Sequence, residues 1–274
     1  MMPAPRAFFH LYVALLTALS AGCRQACPGS DADSLDKPTR VASAIKSPRP
    51  TKESATPSRA KFRRCPLGMV LVPGGELKSH RAVPVAIRDL CVDKTEVTVA
   101  SYSNCVRAGV CQKPGTGPGC NWNQDGMADH PINCVSLDDG TAFCQARQAT
   151  LPTFDEWEWV ASGGVAATAF PWGNDNPSGR VCWSGDQQRD ETCAVGSFQD
   201  GNSADGINDL VGNVAEWTIT PYLPQEGAVH VRGRAFWEDD PEALRTDVTS
   251  HAFTGTRFEG IGFRCYVVAP CRGT

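Results

Sequence analysis

The sequence predicts a mixed α+β fold with little regular secondary structure, held together by disulfide bonds. Helix and strand signals are few and short, and the turns between them are rich in Gly, Asn, Asp and Pro. The chain of 274 residues also carries 13 cysteines. A domain that consists mostly of long ordered loops has few helices and strands to stabilise it. Disulfide bonds between its cysteines can supply the missing stability.

Two strands are predicted near the start of the domain. Met69-Val70-Leu71-Val72 is a short apolar run that ends at the Pro73-Gly74-Gly75 turn. The segment from Val83 to Val92 is a second run of strand-forming residues, and we expect it to form one strand.

Three helices are predicted, two of them from their capping residues. They run from Thr98 to Arg107, from Leu137 to Arg147, and from the Thr153 cap to Gly163-Gly164. Ser136 can cap the second helix, and Thr153 with Glu156 has the capping-box spacing. Gly109 lies just beyond the first helix and favours its termination.

The N-terminus has the pattern of an export signal. An apolar run from Ala7 to Leu19 follows a positive end and is shorter than the roughly 20 residues of a membrane span. It leads to Ser20-Ala21-Gly22-Cys23, which resembles a bacterial lipoprotein cleavage site, although Ser20 replaces the usual aliphatic residue. We expect residues 1–22 to be a lipoprotein-type signal peptide and Cys23 to be lipidated. Ordinary cleavage before Ala21 is the alternative.

Residues 23–64 are predicted to be a disordered Pro/Ser/basic tether. From Arg24 to Arg64 the chain holds five prolines, six serines and ten Lys or Arg, with almost no large apolar residue. Such a segment buries too little surface to offset the entropy of ordering. Together with the signal, it predicts an exported lipoprotein anchored in the membrane of the cell envelope, periplasmic or on the surface.

Residues 65–274 form one predicted, acidic domain. They carry 15 Lys or Arg against 26 Asp or Glu, a net charge of −11. This charge argues against nucleic acid as a partner. If Cys23 carries lipid, twelve cysteines remain, and cysteines of an exported protein tend to pair. The chain contains no Cys-x-x-Cys, which argues against structural zinc.

Seven short motifs are spread along this domain. They are Asp93-Lys94-Thr95-Glu96-Val97-Thr98 with Tyr102, His130-Pro131 with Val135 to Cys144, Leu151-Pro152-Thr153 with Glu156-Trp157-Glu158, Phe170-Pro171-Trp172-Gly173, Gly212-Asn213-Val214-Ala215-Glu216-Trp217-Thr218, Val231-Arg232-Gly233 and Gly262-Phe263-Arg264-Cys265. In order and spacing they resemble the formylglycine-generating-enzyme (sulfatase-modifying factor) family. The resemblance implies an irregular α+β fold of the C-type-lectin-like kind.

The resemblance also implies one disulfide bond, between Cys144 and Cys265. Spacing suggests four others, Cys65–Cys91, Cys105–Cys111, Cys120–Cys134 and Cys182–Cys193. Cys27 and Cys271 are left over, and they either pair or stay free.

The copper site of the family's oxygen-dependent enzymes is not recognisable. Those enzymes place two cysteines after an Arg-Gly-Gly-Ser segment, and their thiolates hold the soft copper ion. Here the segment reads Arg232-Gly233-Arg234-Ala235-Phe236-Trp237-Glu238, and Glu238 stands where the first cysteine is expected. We therefore predict no catalytic residue and no copper, only a degenerate site near Arg232, Ala235, Trp237 and Glu238.

Several of these residues allow a second interpretation. Glu238, Asp239 and Asp240 either bind a cation and do acid–base work or form a solvated turn. Trp237 either covers a ligand or packs. Iron enzymes of the family use histidines supplied mostly by another domain, so His130 of the His-Pro motif is expected to pack.

Calcium is the cofactor that the resemblance implies. The matching ligands are Asp209, Gly212, Val214 and Glu216, and Ala215 departs from the tryptophan usual in this motif. Two carboxylates and two backbone carbonyls, completed by water, suit a cation that takes six to eight oxygens.

Three functions remain open from the sequence. The favoured one is an envelope-anchored binding or scaffold module that lacks the copper oxidase site and binds an envelope protein or a glycan. The alternatives are a metal-dependent oxidoreductase that uses the acidic cluster and a protein-modifying enzyme that acts on sulfatases.

Overall fold

A computed structural model of the chain describes residues 65–78 and 83–269. The predicted signal peptide, the lipidated Cys23, the tether, Cys27 and Cys271 all lie outside these residues. Within them, no helix combines the length and apolar character needed to cross a membrane.

Nine short strands in the described residues form three sheets. The first sheet is antiparallel, has the order β1-β4-β9 and contains β1 (Met69–Val72), β4 (Leu90–Asp93) and β9 (Tyr266–Val268). Strands β2 (Gly75–Leu77) and β3 (Val85–Ile87) pair with each other. The third sheet has the order β7-β6-β5-β8 and contains β5 (Ala215–Pro221), β6 (Ala228–Arg232), β7 (Thr249–Phe253) and β8 (Ile261–Gly262). Strand β8 runs parallel to β5.

The expectation of one strand over residues 83–92 was wrong, because the segment forms β3 and β4 in different sheets. The break falls at Arg88-Asp89, where Asp89 Oδ1 accepts a hydrogen bond of 2.8 Å from the Gly74 N–H. Gly74 packs so closely on the Ile87 carbonyl that a Cβ there would clash. This contact turns the chain from the β2–β3 pair into the first sheet.

The described residues contain three α-helices, and the second and third begin at their predicted caps. The three helices are α1 (Val99–Arg107), α2 (Leu137–Ala146) and α3 (Phe154–Ala161). The side chains of Thr98, Ser136 and Thr153 each accept a backbone N–H of the first turn. In α2 and α3 the third helical residue also bonds back to the cap, which completes a capping box.

Within residues 65–78 and 83–269, five disulfide bonds connect the loops, and they are the five pairs expected from the sequence. They join Cys65–Cys91, Cys105–Cys111, Cys120–Cys134, Cys144–Cys265 and Cys182–Cys193. The Cys144–Cys265 bond spans 121 residues of sequence. Closing a loop of that length removes about 5 kcal/mol of chain entropy from the unfolded state.

The buried side chains form two aromatic-rich clusters. In one, Tyr102, Phe143 and Phe263 have ring centroids 5.5 to 6.3 Å apart, beside Trp217. The other contains Trp157 and Trp159 of α3. Aromatic rings bury large apolar areas per residue, so these clusters compensate for the shortage of regular elements.

Candidate binding cleft and buried carboxylate cluster

A cleft of about 480 Å³ is lined by the β7-β6-β5-β8 sheet and by the segment after β6. Ala235, Trp237 and Glu238 line this cleft. Three of the four residues expected in the degenerate site therefore share one cavity. The fourth, Arg232, lies elsewhere.

Arg232 is buried and held by protein groups. Its guanidinium carbon lies 4.0 Å from the Phe154 ring centroid and 4.9 Å from that of Trp157. The same group lies 3.4 Å from the Glu158 carboxylate and donates to the Thr246 carbonyl. Arg232 thus connects β6 to α3 and to the segment before β7 inside the core, and it does not line the cleft.

The three adjacent carboxylates mostly organise a turn. Glu238 Oε1 accepts the N–H groups of Asp239 and Asp240 at 3.2 and 3.3 Å. Asp240 Oδ1 accepts the Glu242 N–H at 3.0 Å and caps the short 3₁₀ helix Pro241–Leu244. Of the three, Glu238 alone lines the cleft, where its Oε2 lies 3.9 Å from Arg234 Nε.

No cysteine lines the cleft. All ten cysteines in residues 65–78 and 83–269 are in disulfide bonds. The described part of the chain thus offers no free thiolate to hold copper in the family manner.

The expected calcium ligands lie in a tightly turned loop before β5. Asp209, Gly212 and Asn213 all have positive φ, at 53°, 77° and 56°. A Cβ on Gly212 would lie 2.7 Å from the Cys182 carbonyl oxygen, so this position needs glycine. Asp209 Oδ2 accepts the Gly196 N–H at 2.5 Å.

Glu216, the last expected ligand, is completely buried and ion-paired. Its Oε1 lies 2.7 Å from Arg264 Nη2, and its Oε2 accepts the Trp157 indole N–H at 2.9 Å. Arg264 also donates to the Asp209 carbonyl at 2.9 Å. A carboxylate has about four lone-pair sites, so Glu216 keeps acceptor capacity after these bonds.

Glu96 joins this cluster, and sequence reasoning missed it. The side chain is 1% exposed, Asn213 Nδ2 donates to its Oε2 at 3.2 Å, and its Oε1 has no hydrogen-bond partner. Burial, together with the negative charge of Asp209, raises the pKa of Glu96 well above its usual value. In the sequence, the one available signal was that Glu96 belongs to the Asp93–Thr98 motif. The spacing of residues in that motif does not resemble that of metal ligands.

The charge of this cluster fits a divalent cation. Glu96, Asp209 and Glu216 face one guanidinium, that of Arg264, and burial raises the pKa of Asp209 as well. In the described residues no group of three or more His, Cys, Asp or Glu side chains is placed to hold a metal by itself. Side chains alone would therefore not be enough to hold a calcium ion here. The ion would need the backbone carbonyls of Gly212 and Val214 in addition to the carboxylates of Asp209 and Glu216.

His130 lies apart from both sites. Its Nδ1 is 2.8 Å from Thr192 Oγ1, and the neighbouring Pro131 forms a bridge with Thr98 just before α1. Burial lowers the pKa of His130, although the nearby carboxylates of Glu191 and Asp129 oppose this effect. The geometry supports a packing and turn role.

A second cavity, of about 530 Å³, lies beside α1. Asp93 and Arg147 border it, and their side chains form an ion pair of 2.8 Å. None of the residues expected in the degenerate site or the calcium site lines it. The cleft at the β7-β6-β5-β8 sheet is therefore the better candidate for a ligand site.

Comparison with known proteins agrees with the motifs. The family model of the sulfatase-modifying factor enzyme 1-like domain matches residues 53–269. The inactive C-alpha-formylglycine-generating enzyme 2 of Bos taurus is 32% identical over 163 residues, covering 54% of this chain and 53% of that protein. The formylglycine-generating enzyme of Streptomyces coelicolor is 25% identical over 303 residues, covering 81% of this chain and 96% of that protein.

Solved structures share the fold. PvdO from Pseudomonas aeruginosa aligns with a TM-score of 0.60 at 21% identity, covering 72% of this chain and 93% of that one. CarF aligns with a TM-score of 0.61 at 17% identity, covering 75% of this chain and 99% of CarF. The matched region, the motifs and the fold agree, and the chain belongs to the family of sulfatase-modifying factor enzyme 1-like domains.

Proposed function

We propose that this chain is a non-catalytic binding module of the cell envelope, which uses the cleft at the β7-β6-β5-β8 sheet to bind its ligand. The observation that carries the proposal is the composition of the cleft. Glu238 stands where the family's first catalytic cysteine is expected, and every described cysteine is in a disulfide bond. Without thiolates, the copper-dependent oxidation of a substrate cysteine has no site in this cleft.

The comparisons support the proposal without deciding it. One relative is named as an inactive enzyme, whereas another is named formylglycine-generating enzyme. The match spans only about half of the bovine protein. Since one fold hosts both kinds of protein, function must be argued from the site.

An activity assay tests the proposal. The purified full-length chain is incubated with a sulfatase-derived cysteine peptide, copper and oxygen, and the peptide is analysed by mass spectrometry. The Streptomyces coelicolor enzyme serves as the positive control. We expect the peptide to stay unmodified, and conversion of its cysteine to formylglycine would overturn the proposal.

Elemental analysis tests the alternative of a metal-dependent oxidoreductase. A relative named hercynine oxygenase, from Mycolicibacterium smegmatis, is 32% identical over 120 residues but covers only 39% of this chain. We expect calcium but neither stoichiometric copper nor iron in the purified protein. Copper or iron at one equivalent would favour the oxidoreductase.

We also propose that a lipid on Cys23 anchors the domain and that residues 23–64 hold it away from the membrane. The proposed partners are the membrane and an envelope protein or glycan. The Cys23→Ala variant tests the anchor, because it should move the protein from the membrane fraction to the soluble fraction. If the variant stays in the membrane fraction, Cys23 is not the anchor.

A further inference from the structure

The departures from the family pattern meet in one place. Ala215 replaces the usual tryptophan, Arg234 and Ala235 replace Gly and Ser, and Glu238 replaces a cysteine. All four residues line the cleft of about 480 Å³, although Ala215 comes from β5 and the others follow β6. The four departures therefore lie on one surface. A small residue in place of tryptophan also leaves room for a ligand.

Exposed aromatic rings also meet at this cleft. Among the described Phe, Trp and Tyr residues, three are exposed: Trp237 at 40%, Phe253 at 52% and Phe258 at 45%. All three line the cleft. Several exposed aromatic rings that line one cavity are typical of a ligand-binding site.

The Trp237 ring is held in position. Its centroid lies 4.7 Å from that of Phe236 and 5.4 Å from that of Phe258, both edge-on. Its indole also packs against Gly260, where any Cβ would clash with the ring. A ring fixed in this way presents its surface to a ligand at low entropic cost.

The polar lining is electrically balanced. Arg234 Nη1 donates to Ser250 Oγ at 2.7 Å, and Arg234 Nε lies 3.9 Å from Glu238 Oε2. These two side chains supply both donors and acceptors to the cleft without a net charge. Ala215, Val231, Ala235 and Ile261 are buried side chains that give the cleft an apolar base. The combination selects a neutral ligand with hydroxyl groups and an apolar face.

Resting on the proposed function, we propose that the cleft binds a β-linked, gluco-configured saccharide that carries N-acetyl groups. In such a pyranose every ring substituent is equatorial, so the axial C–H groups form flat apolar faces that match the Trp237 ring. The hydroxyl groups meet the guanidinium of Arg234 and the carboxylate of Glu238, which form the stronger, charge-assisted hydrogen bonds. The acetamido methyl group fits the apolar base around Ala215.

Calorimetric titration of the full-length chain in detergent tests this assignment. The probes are the trimer of β-1,4-linked N-acetylglucosamine and cellotriose, which has the same rings without the acetamido groups. The variants are Trp237→Ala, which removes the exposed ring, and Ala215→Trp, which refills the cleft. Val165→Ala is the control, because Val165 is exposed on the 3₁₀ helix Gly164–Ala166 and does not line the cleft.

The chain should bind the N-acetylated trimer, and each cleft variant should weaken this binding about tenfold or more, which corresponds to 1.4 kcal/mol. Val165→Ala should leave it unchanged. Absence of trimer binding, or trimer binding unchanged in both cleft variants, would overturn the inference. Cellotriose binding as tight as that of the trimer would overturn the N-acetyl assignment. Thermal unfolding of each variant shows whether it is folded.

The two proposals fail in different ways. If the chain converts the cysteine peptide in the activity assay, the proposed non-catalytic function is wrong whatever the saccharides do. If the chain neither converts the peptide nor binds the trimer, the saccharide assignment alone is wrong.

Discussion

Arg264 and Glu216 form an ion pair with no exposed surface. Two motifs that are 48 residues apart meet in this pair, and Trp157 and the Asp209 carbonyl complete its hydrogen bonds. A buried pair adds little net stability against an apolar replacement, but breaking it leaves one charge uncompensated. The pair therefore links the two motifs inside the core.

Arg264→Ala should destabilise the domain by about 3–5 kcal/mol, because Glu216 would stay buried without its partner. Chemical denaturation of the full-length chain measures the change in the free energy of unfolding. Arg245→Ala is the matched control: Arg245 pairs with Asp247 at the surface, and its loss should cost less than about 1 kcal/mol. Equal costs for the two variants would contradict the structural role of the buried pair.

Among the elements, those with local signals were predictable. Ser136 and Thr153 mark the starts of their helices because capping chemistry acts within one turn. The boundary between β3 and β4 was not predictable, since it depends on Gly74 and Asp89 contacting each other across 15 residues. Strand signals describe single segments and contain no information about such a contact.

The loop that leads into β5 carries the calcium prediction. Removing calcium with a chelator should lower the melting temperature by several degrees, because a ligand that binds only the folded state stabilises it. Calcium should restore stability better than magnesium, which demands near-octahedral geometry. Differential scanning calorimetry measures both effects.

Two variants sharpen this measurement. Asp209→Ala removes a proposed ligand and should abolish the chelator effect. Asp200→Ala, at an exposed position outside the proposed set, should preserve it. If the chelator effect is absent in the unmodified chain, or persists in Asp209→Ala, the calcium site is not at this loop.

The segment before α2 carries a pH prediction at His130. Burial lowers the pKa of His130 in the folded state, so the unfolded chain, with a value of about 6.5, binds this proton more readily. The His130 contribution to stability is thus present above that pH and is lost as the pH falls through and below it. NMR titration of the His130 ring gives its pKa. His130→Asn should reduce the pH dependence of unfolding between pH 7 and pH 5, and an unchanged dependence would contradict the prediction.

At the scale of the whole molecule, family membership, the five disulfide pairs and part of the cleft could be predicted, because Ala235, Trp237 and Glu238 were expected in one degenerate site. Seven motifs in order identify a fold even though each is short. The cleft instead brings Ala215, Glu238 and Phe258 together from three separate segments. Ala215 and Phe258 were not expected beside Glu238, because they are distant from it in sequence and only the fold brings the three segments together.

The disulfide bonds allow a prediction about global stability. In the chain-entropy account, the Cys144–Cys265 bond closes a separation of 121 residues and should contribute about 5 kcal/mol, whereas Cys105–Cys111 closes 6 residues and should contribute about 2 kcal/mol. The double variants Cys144→Ala/Cys265→Ala and Cys105→Ala/Cys111→Ala, compared by equilibrium denaturation, measure the difference. Equal costs would mean that local packing, and not the length of the closed loop, determines how these bonds stabilise a domain with few regular elements.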